Sequence, residues 1–210
     1  LLATPFGEKD PIFSKDISFY VFSLPVFQFG VGVLRTLIIF ALLGCSLIYI
    51  LRGSLAIGSL AGKFNLASLG LPKLKLPKSA ESEKKARIHI SILLFLLLAT
   101  FSFGTYLSIF KMLTSQSGPV LGAVYTDVYI MIPILRLSIL LTAISAFLAL
   151  FWGISGKIKP LLISISLYVL IGLISAIVPS IFQRLVVAPN ELVKETPFIK
   201  YNIAATQKAF

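Results

Sequence analysis

Apolar residues run through this chain in long uninterrupted blocks, with neither the strict alternation of a half-buried strand nor the narrow stripe of a soluble helix. Ile90 to Phe110 is 21 residues without an acidic or basic side chain, Leu137 to Gly156 is 20, and Pro160 to Gln183 is 24. At about 1.5 Å rise per residue, each block is long enough to cross a hydrocarbon core of ~30 Å as a helix. A fourth block, roughly Val26 to Leu51, is interrupted only by Arg35, and Pro25 stands where a first helical turn tolerates proline. The pattern predicts an all-α membrane protein, a four-helix transmembrane bundle over residues 26–183 with helices near 26–52, 88–112, 129–155 and 160–183 and a loop at 53–87. Residues 1–25 read as an interfacial segment, with Asp10, Asp16, aromatic residues and Pro25 forming an amphipathic approach to the first helix. Residues 184–210 read as a short extended tail, strand-like in its alternation and bounded by prolines, that opens a further domain.

Composition agrees, because 57% hydrophobic and 13% charged residues leave too little polar surface to coat a water-soluble globule. Charge then suggests an orientation. Lys and Arg close to a span resist translocation, and Arg52 to Arg87 carries eight of them against Glu81 and Glu83, with Lys157 and Lys159 in the last short turn. Both segments are expected in the cytoplasm, which puts both ends of the chain outside, in a multi-pass protein of the cell membrane. The formal charge of +11 needs no nucleic acid to explain it, since basic residues flanking spans are drawn to anionic lipid at about 1 kcal/mol each. No nucleic-acid partner is expected.

Within the loop, Gly58 to Lys63 reads GSLAGK, which lacks the four-residue spacing, the Ser or Thr after Lys and the preceding strand of a phosphate-binding loop. Its apolar, Gly- and Ser-rich front half is expected to lie along the membrane interface. Small residues recur every fourth position at Thr100, Gly104 and Ser108, at Ser145, Ala149 and Gly153, and at Gly172, Ala176 and Ser180, a spacing that lets membrane helices approach closely. Pro133 and Pro179 are read as lying near helix ends. Cys45 reads as a small packing residue, and His89, beside Arg87, as an interfacial residue.

Arg35 and Arg136 are the charges that stand out, because a guanidinium at the bilayer centre costs at least ~2.5 kcal/mol unless it snorkels or is partnered. Each lies about nine or ten residues from the outer end of its span, and Arg35 shares a helix face with Gln28, Gly32 and Ser46, which should point inward. With Arg184 and Lys111 at the outer helix ends they suggest a basic recess for an anionic lipid group, weighed against plain snorkelling or pairing with Asp16, Asp127 or backbone carbonyls. Asp10, Asp16 and Asp127 offer fewer oxygens than a hard cation wants, so neither metal nor cofactor is expected. No Ser-His-Asp set, paired catalytic carboxylates or metal cluster can be assembled, which points away from an enzyme.

Three stretches, DPIFSKDISFYVFSLPVFQF at Asp10 to Phe29, GAVYTDV at Gly122 to Val128, and VPSIFQRLVVAPNELVKETPFIKYNIAATQKAF at Val178 to Phe210, together with RIH at Arg87 to His89, resemble Uncharacterised Protein Family 0182 (UPF0182), bacterial polytopic membrane proteins. The resemblance implies a longer parent of about seven transmembrane helices followed by a large extracytoplasmic domain, of which this chain is an internal fragment. Tyr129 stands where many members have His, and Phe198, Gln207 and Phe210 stand for Tyr, Arg and Tyr. The resulting expectation is a membrane anchor or scaffold for an extracytoplasmic domain, with a transporter or channel module as the alternative. Its expected partners are membrane lipids, envelope proteins or further copies of itself.

Overall fold

The computed structural model describes residues 4–52, 80–115 and 122–209, so the front half of the 53–87 loop and its GSLAGK stretch lie outside the described residues. Five α-helices account for most of the rest: α1 Leu24–Leu51, α2 Ala80–Lys111, α3 Ile132–Ser155, α4 Ile158–Phe182 and α5 Glu191–Ala209. Among the described residues there is no strand, and Lys9 and Asp16 form an isolated antiparallel bridge. Four helical stretches among the described residues are long and apolar enough to cross a membrane. Their apolar cores fall in α1 to α4, interrupted by Arg35 in α1, whereas α5 carries Glu191, Lys194, Glu195, Lys200 and Lys208 and follows the apolar part of the fourth stretch.

Among the described residues three π-turns interrupt the helices, at Phe19–Ser23, Asp127–Met131 and Gln183–Val187. Each ends two residues before a proline, Pro25, Pro133 or Pro189. In a regular α-helix a proline ring collides with the carbonyl four residues back, here that of Val21, Tyr129 or Leu185, the middle residue of each π-turn. The widened turn moves that carbonyl aside, so each proline is accommodated by a local change of helix type. This corrects the reading of Pro25 as the opener of the first span, since helix already runs from Phe19. Pro133 stands second in α3, but helix already runs into it from Tyr125, and Pro179 is inside α4 three residues before its end.

The chain divides into two compact units. The first comprises Leu1–Val33, Phe101–Thr142 and Leu167–Phe210, so both chain ends belong to it. Its core is Tyr20, Leu24, Leu107 and Phe110, with Phe13, Phe19, Val31 and Leu113 packed around them. Phe110 meets the rings of Phe13 and Phe19 edge to face at 5.1 and 5.4 Å, the geometry that aromatic quadrupoles favour. Ser138 and Ser175 share a hydrogen bond of 3.2 Å between α3 and α4.

The second unit comprises Leu34–Thr100 and Ala143–Ser166, and small residues build it. Ser91, Ser145 and Ala149 are buried. A Cβ on Gly153 would fall 2.5 Å from the Ser91 Cβ, so α2 and α3 touch here at a distance only glycine permits. The Ser145, Ala149, Gly153 row thus does what its spacing suggests. The Gly172, Ala176, Ser180 row does not: it is exposed, and α4 buries Ser164 and Ile171 on another face. Spacing identifies a stripe but cannot say which stripe finds a neighbour.

The outward faces of the spans are apolar. Phe29 and Phe40 on α1, Leu140 and Phe147 on α3, and Leu162 and Leu173 on α4 are all more than half exposed, an arrangement that lipid rather than water accommodates.

The extended tail expected at 184–210 is corrected. Residues Glu191–Ala209 form helix α5, because Glu195, Phe198, Ile199 and Asn202, spaced three, four and seven apart, make one continuous inward face. The alternation that suggested a strand is broken by that face, and within the first unit the segment packs on Tyr125.

Candidate functional site

Two carboxylates organise the N-terminal loop of the first unit. Asp10 follows a short approach and precedes Pro11, and its side chain gathers the chain around it: Oδ1 accepts the N–H groups of Ile12 (2.9 Å) and Phe13 (2.5 Å), and Oδ2 accepts Lys15 N–H (2.7 Å) and the Tyr20 hydroxyl (2.8 Å). Asp16 does likewise, accepting Phe6 and Ser18 N–H on Oδ1 and Gly7 N–H on Oδ2. Bonds from Ser18, by hydroxyl and N–H, and then from Phe6 and Gly7 hold the Asp16 carboxyl at about 2. Both carboxylates are thus engaged by donors, and no group of three or more acidic, His or Cys side chains suited to a metal ion exists among the described residues. Asp10 and Asp16 thus organise the backbone of this loop, and Asp127 accepts the Val124 N–H at 3.2 Å.

Above this loop, α5 brings a third acid inward. Glu195 is 2% exposed, and both its oxygens accept the N–H of Tyr125 at 3.1 Å. Tyr125 opens the helix that continues into α3, where N–H groups lack partners within the helix, so Glu195 caps that helix from a distant part of the chain. Aromatic rings surround the contact: Tyr129 lies 4.5 Å from Tyr125 between centroids, Phe182 and Phe198 both 6.4 Å. The Lys194 ammonium sits 4.5 Å over the Tyr125 ring, a cation–π contact. Burial pushes the Glu195 carboxyl up, opposed by the Tyr125 N–H and reinforced by the negative charges of Glu191 and Asp127.

Between the N-terminal loop and α5 runs a groove of about 510 Å³. Ile12, Val21, Leu113 and Phe198 give it apolar walls, and Lys9 and Asn202 contribute polar groups. The stretches that carry the family resemblance converge here, the first through Asp10 to Val21, the second through Gly122 and Ala123, the third through Phe198 to Ala205. Nothing in their separate sequences announced that convergence, and Glu195 was not singled out because a lone glutamate in a polar helix ordinarily faces water.

The four basic residues expected to form a recess are placed differently from one another. Arg35, in the second unit, is half-buried on the face shared with Gln28, Gly32 and Ser46, and its Nη2 donates to the Thr100 carbonyl at 3.0 Å. Arg136, in the first unit, is exposed on the same stripe of α3 as Leu137 and Leu140. Lys111 and Arg184, also in the first unit, are exposed at the last turn of α2 and in the third π-turn. Within the second unit, His89 shares a 2.8 Å hydrogen bond with the Tyr49 hydroxyl, and the Arg87 Nε donates to the Gly153 carbonyl at 3.2 Å, closing the C-terminal end of α3.

Comparison with known proteins places the chain. A UPF0182 protein of Desulfitobacterium hafniense is 36% identical over the whole chain, one of Cupriavidus necator 34% identical over 98% of it, and one of Clostridium botulinum 32% identical over 98%. The chain spans about a fifth of the length of these relatives, 21%, 21% and 22% respectively. No solved structure matches. The match to the Uncharacterised protein family (UPF0182) extends over residues 1–210, and the chain belongs to that family.

Proposed function

We propose that this region is the membrane anchor and scaffold of a longer envelope protein, presenting an extracytoplasmic domain from the cell membrane. The carrying observation is four apolar, outward-exposed spanning helices in a chain that accounts for about a fifth of its relatives' length. Both chain ends belong to one unit, which suits an even number of crossings, and the Lys and Arg balance favours the exterior for that unit. Envelope proteins or further copies of the chain are the protein partners this reading admits.

Anionic lipid is the ligand this reading assigns to the basic residues. Arg136 stands on a lipid-facing stripe, where its charge costs at least ~2.5 kcal/mol at the bilayer centre unless it reaches a headgroup, and a phosphodiester offers the bidentate acceptor that guanidinium prefers. Lys111 and Arg184 add exposed charge, while Arg35 has one guanidinium nitrogen on the Thr100 carbonyl. A transporter or channel needs a continuous polar path, and here three buried hydroxyls instead serve helix carbonyls: Ser91 donates to Ile88, Thr100 to Leu97, and Ser164 to Ser145.

The test is native mass spectrometry of the chain with anionic and zwitterionic lipids, run beside a proteoliposome flux assay. Arg136→Gln should lose retained anionic lipid several-fold, with Arg35→Gln affected less, and flux should stay at the protein-free level. Robust protein-dependent flux overturns the scaffold reading, and unchanged retention overturns the lipid assignment.

A further inference from the structure

A buried carboxylate normally has a cation, a metal or several donors to offset its desolvation. Glu195 has one N–H, shared between both oxygens. The cation nearest in sequence, Lys194, is committed to the face of Tyr125. The other charged groups of this region are Asp127 and the titratable Tyr125 at the start of the helix leading into α3, Glu191 one turn earlier in α5, Arg184 exposed in the π-turn, and Glu8, Lys9 and Asp10 across the groove. Two of the nearest, Asp127 and Glu191, repel a negative Glu195.

We infer that Glu195 is a protonation-controlled latch that fastens α5 across the outer groove of the first unit, closing when the carboxyl takes up a proton. Docking α5 carries this side chain from solvent into the aromatic cluster of Tyr125, Tyr129, Phe182 and Phe198. The proton neutralises the buried charge and removes its repulsion with Asp127 and Glu191, while the carbonyl oxygen of the acid can still accept the Tyr125 N–H. The docked state therefore binds a proton more tightly than the released state. Stability of docking is fully present below the ordinary glutamate value and is lost as pH rises through the raised docked value.

The elements flanking the latch suit such a movement. The π-turn Gln183–Val187 and the 3₁₀ turn Ala188–Asn190 separate α4 from α5 and replace the regular α-helical ladder there. Phe198, Tyr201 and Asn202 of α5 form one wall of the groove, so release of α5 uncovers it. The inference is independent of whether the region serves as an anchor, because it concerns one side chain and the helix that bears it.

Hydrogen exchange of α5 amides in the full chain, reconstituted in nanodiscs and corrected for intrinsic exchange, provides the test. Between about pH 8 and about pH 5 the wild type should gain severalfold in protection as the docked carboxyl takes up its proton. Glu195→Gln, neutral and of the same shape, should be protected at every pH. The double variant Asp127→Asn, Glu191→Gln leaves the latch residue intact and should move the transition to lower pH. Flat wild-type protection, a Glu195→Gln variant that titrates like wild type, or an unmoved transition in the double variant overturns the latch.

Discussion

At the residue scale, close approach and backbone capture govern the molecule. Gly153 faces Ser91 so tightly that a Cβ would fall 1.9 Å from the Ser91 Oγ and 3.3 Å from the Ile88 Cα, the latter a backbone atom. Gly153→Ala should therefore destabilise the chain by about 1–3 kcal/mol, the usual range for overpacking. Denaturation in detergent micelles measures it, and adding Ser91→Gly should restore part of the loss; an unchanged midpoint in Gly153→Ala would show that α2 and α3 separate freely. Asp16 gives a pH prediction of the opposite sign to Glu195. Its carboxyl, held at about 2 by Ser18, Phe6 and Gly7, stabilises the loop above the ordinary aspartate range and loses that contribution as pH falls through about 2. Amide shifts of Phe6, Gly7 and Ser18 should stay native to about pH 3, below the unperturbed aspartate range; a transition in the ordinary range would mean these bonds do not favour the charged form. Gly153 was legible as a member of a small-residue row. Asp10 and Asp16 were legible only as acids, because the donors they gather, from Phe6 to Tyr20, are assembled by the loop's own turn.

At the element scale, the N-terminal loop and the approach to α3 are held by a small number of polar contacts set against apolar surfaces. The 4–18 loop depends on Asp10, which is 9% exposed and accepts four hydrogen bonds. Asp10→Asn presents an NH₂ group to existing donors, and a stranded buried donor costs about 1–3 kcal/mol. Limited proteolysis should cut this loop much faster in the variant while helices α2 and α3 stay resistant; equal cleavage rates would assign the loop's order to packing around Phe13 and Phe110 instead. The π-turns show how far element reading extends. Proline positions suggested helix ends, but not that helix would continue through Pro25, Pro133 and Pro189 by widening the preceding turn, since that depends on what the continuing helix packs against. The helix α5 shows the limit more sharply: its inward face consists of Glu195, Phe198, Ile199 and Asn202, a polar-edged set that resembles a core stripe only when Tyr125 lies opposite.

At the scale of the whole molecule, apolar exposure and charge asymmetry lead to a definite expectation about topology. With Cys45 replaced, Asn190→Cys should react with a membrane-impermeant reagent on intact cells, and Lys73→Cys only after permeabilisation, because eight basic residues between Arg52 and Arg87 oppose translocation. The reverse pattern would invert the orientation and move the groove and latch to the cytoplasmic face. The number and type of the candidate spans among the described residues were legible in the sequence, since a long apolar stretch, even one interrupted by Arg35, has only one economical way to satisfy its backbone in lipid. Membership of the family was likewise legible in local strings such as YTDV and PNELVKE. What tertiary structure alone decided is which of several equivalent stripes meets a neighbour, that Arg35 turns to a carbonyl while Arg136 faces outward, and that a glutamate near the end of the chain is buried on an N–H 70 positions away. Hydrophobic length acts within a segment and is written in it; partnership is a property of two surfaces, and neither surface alone specifies the other.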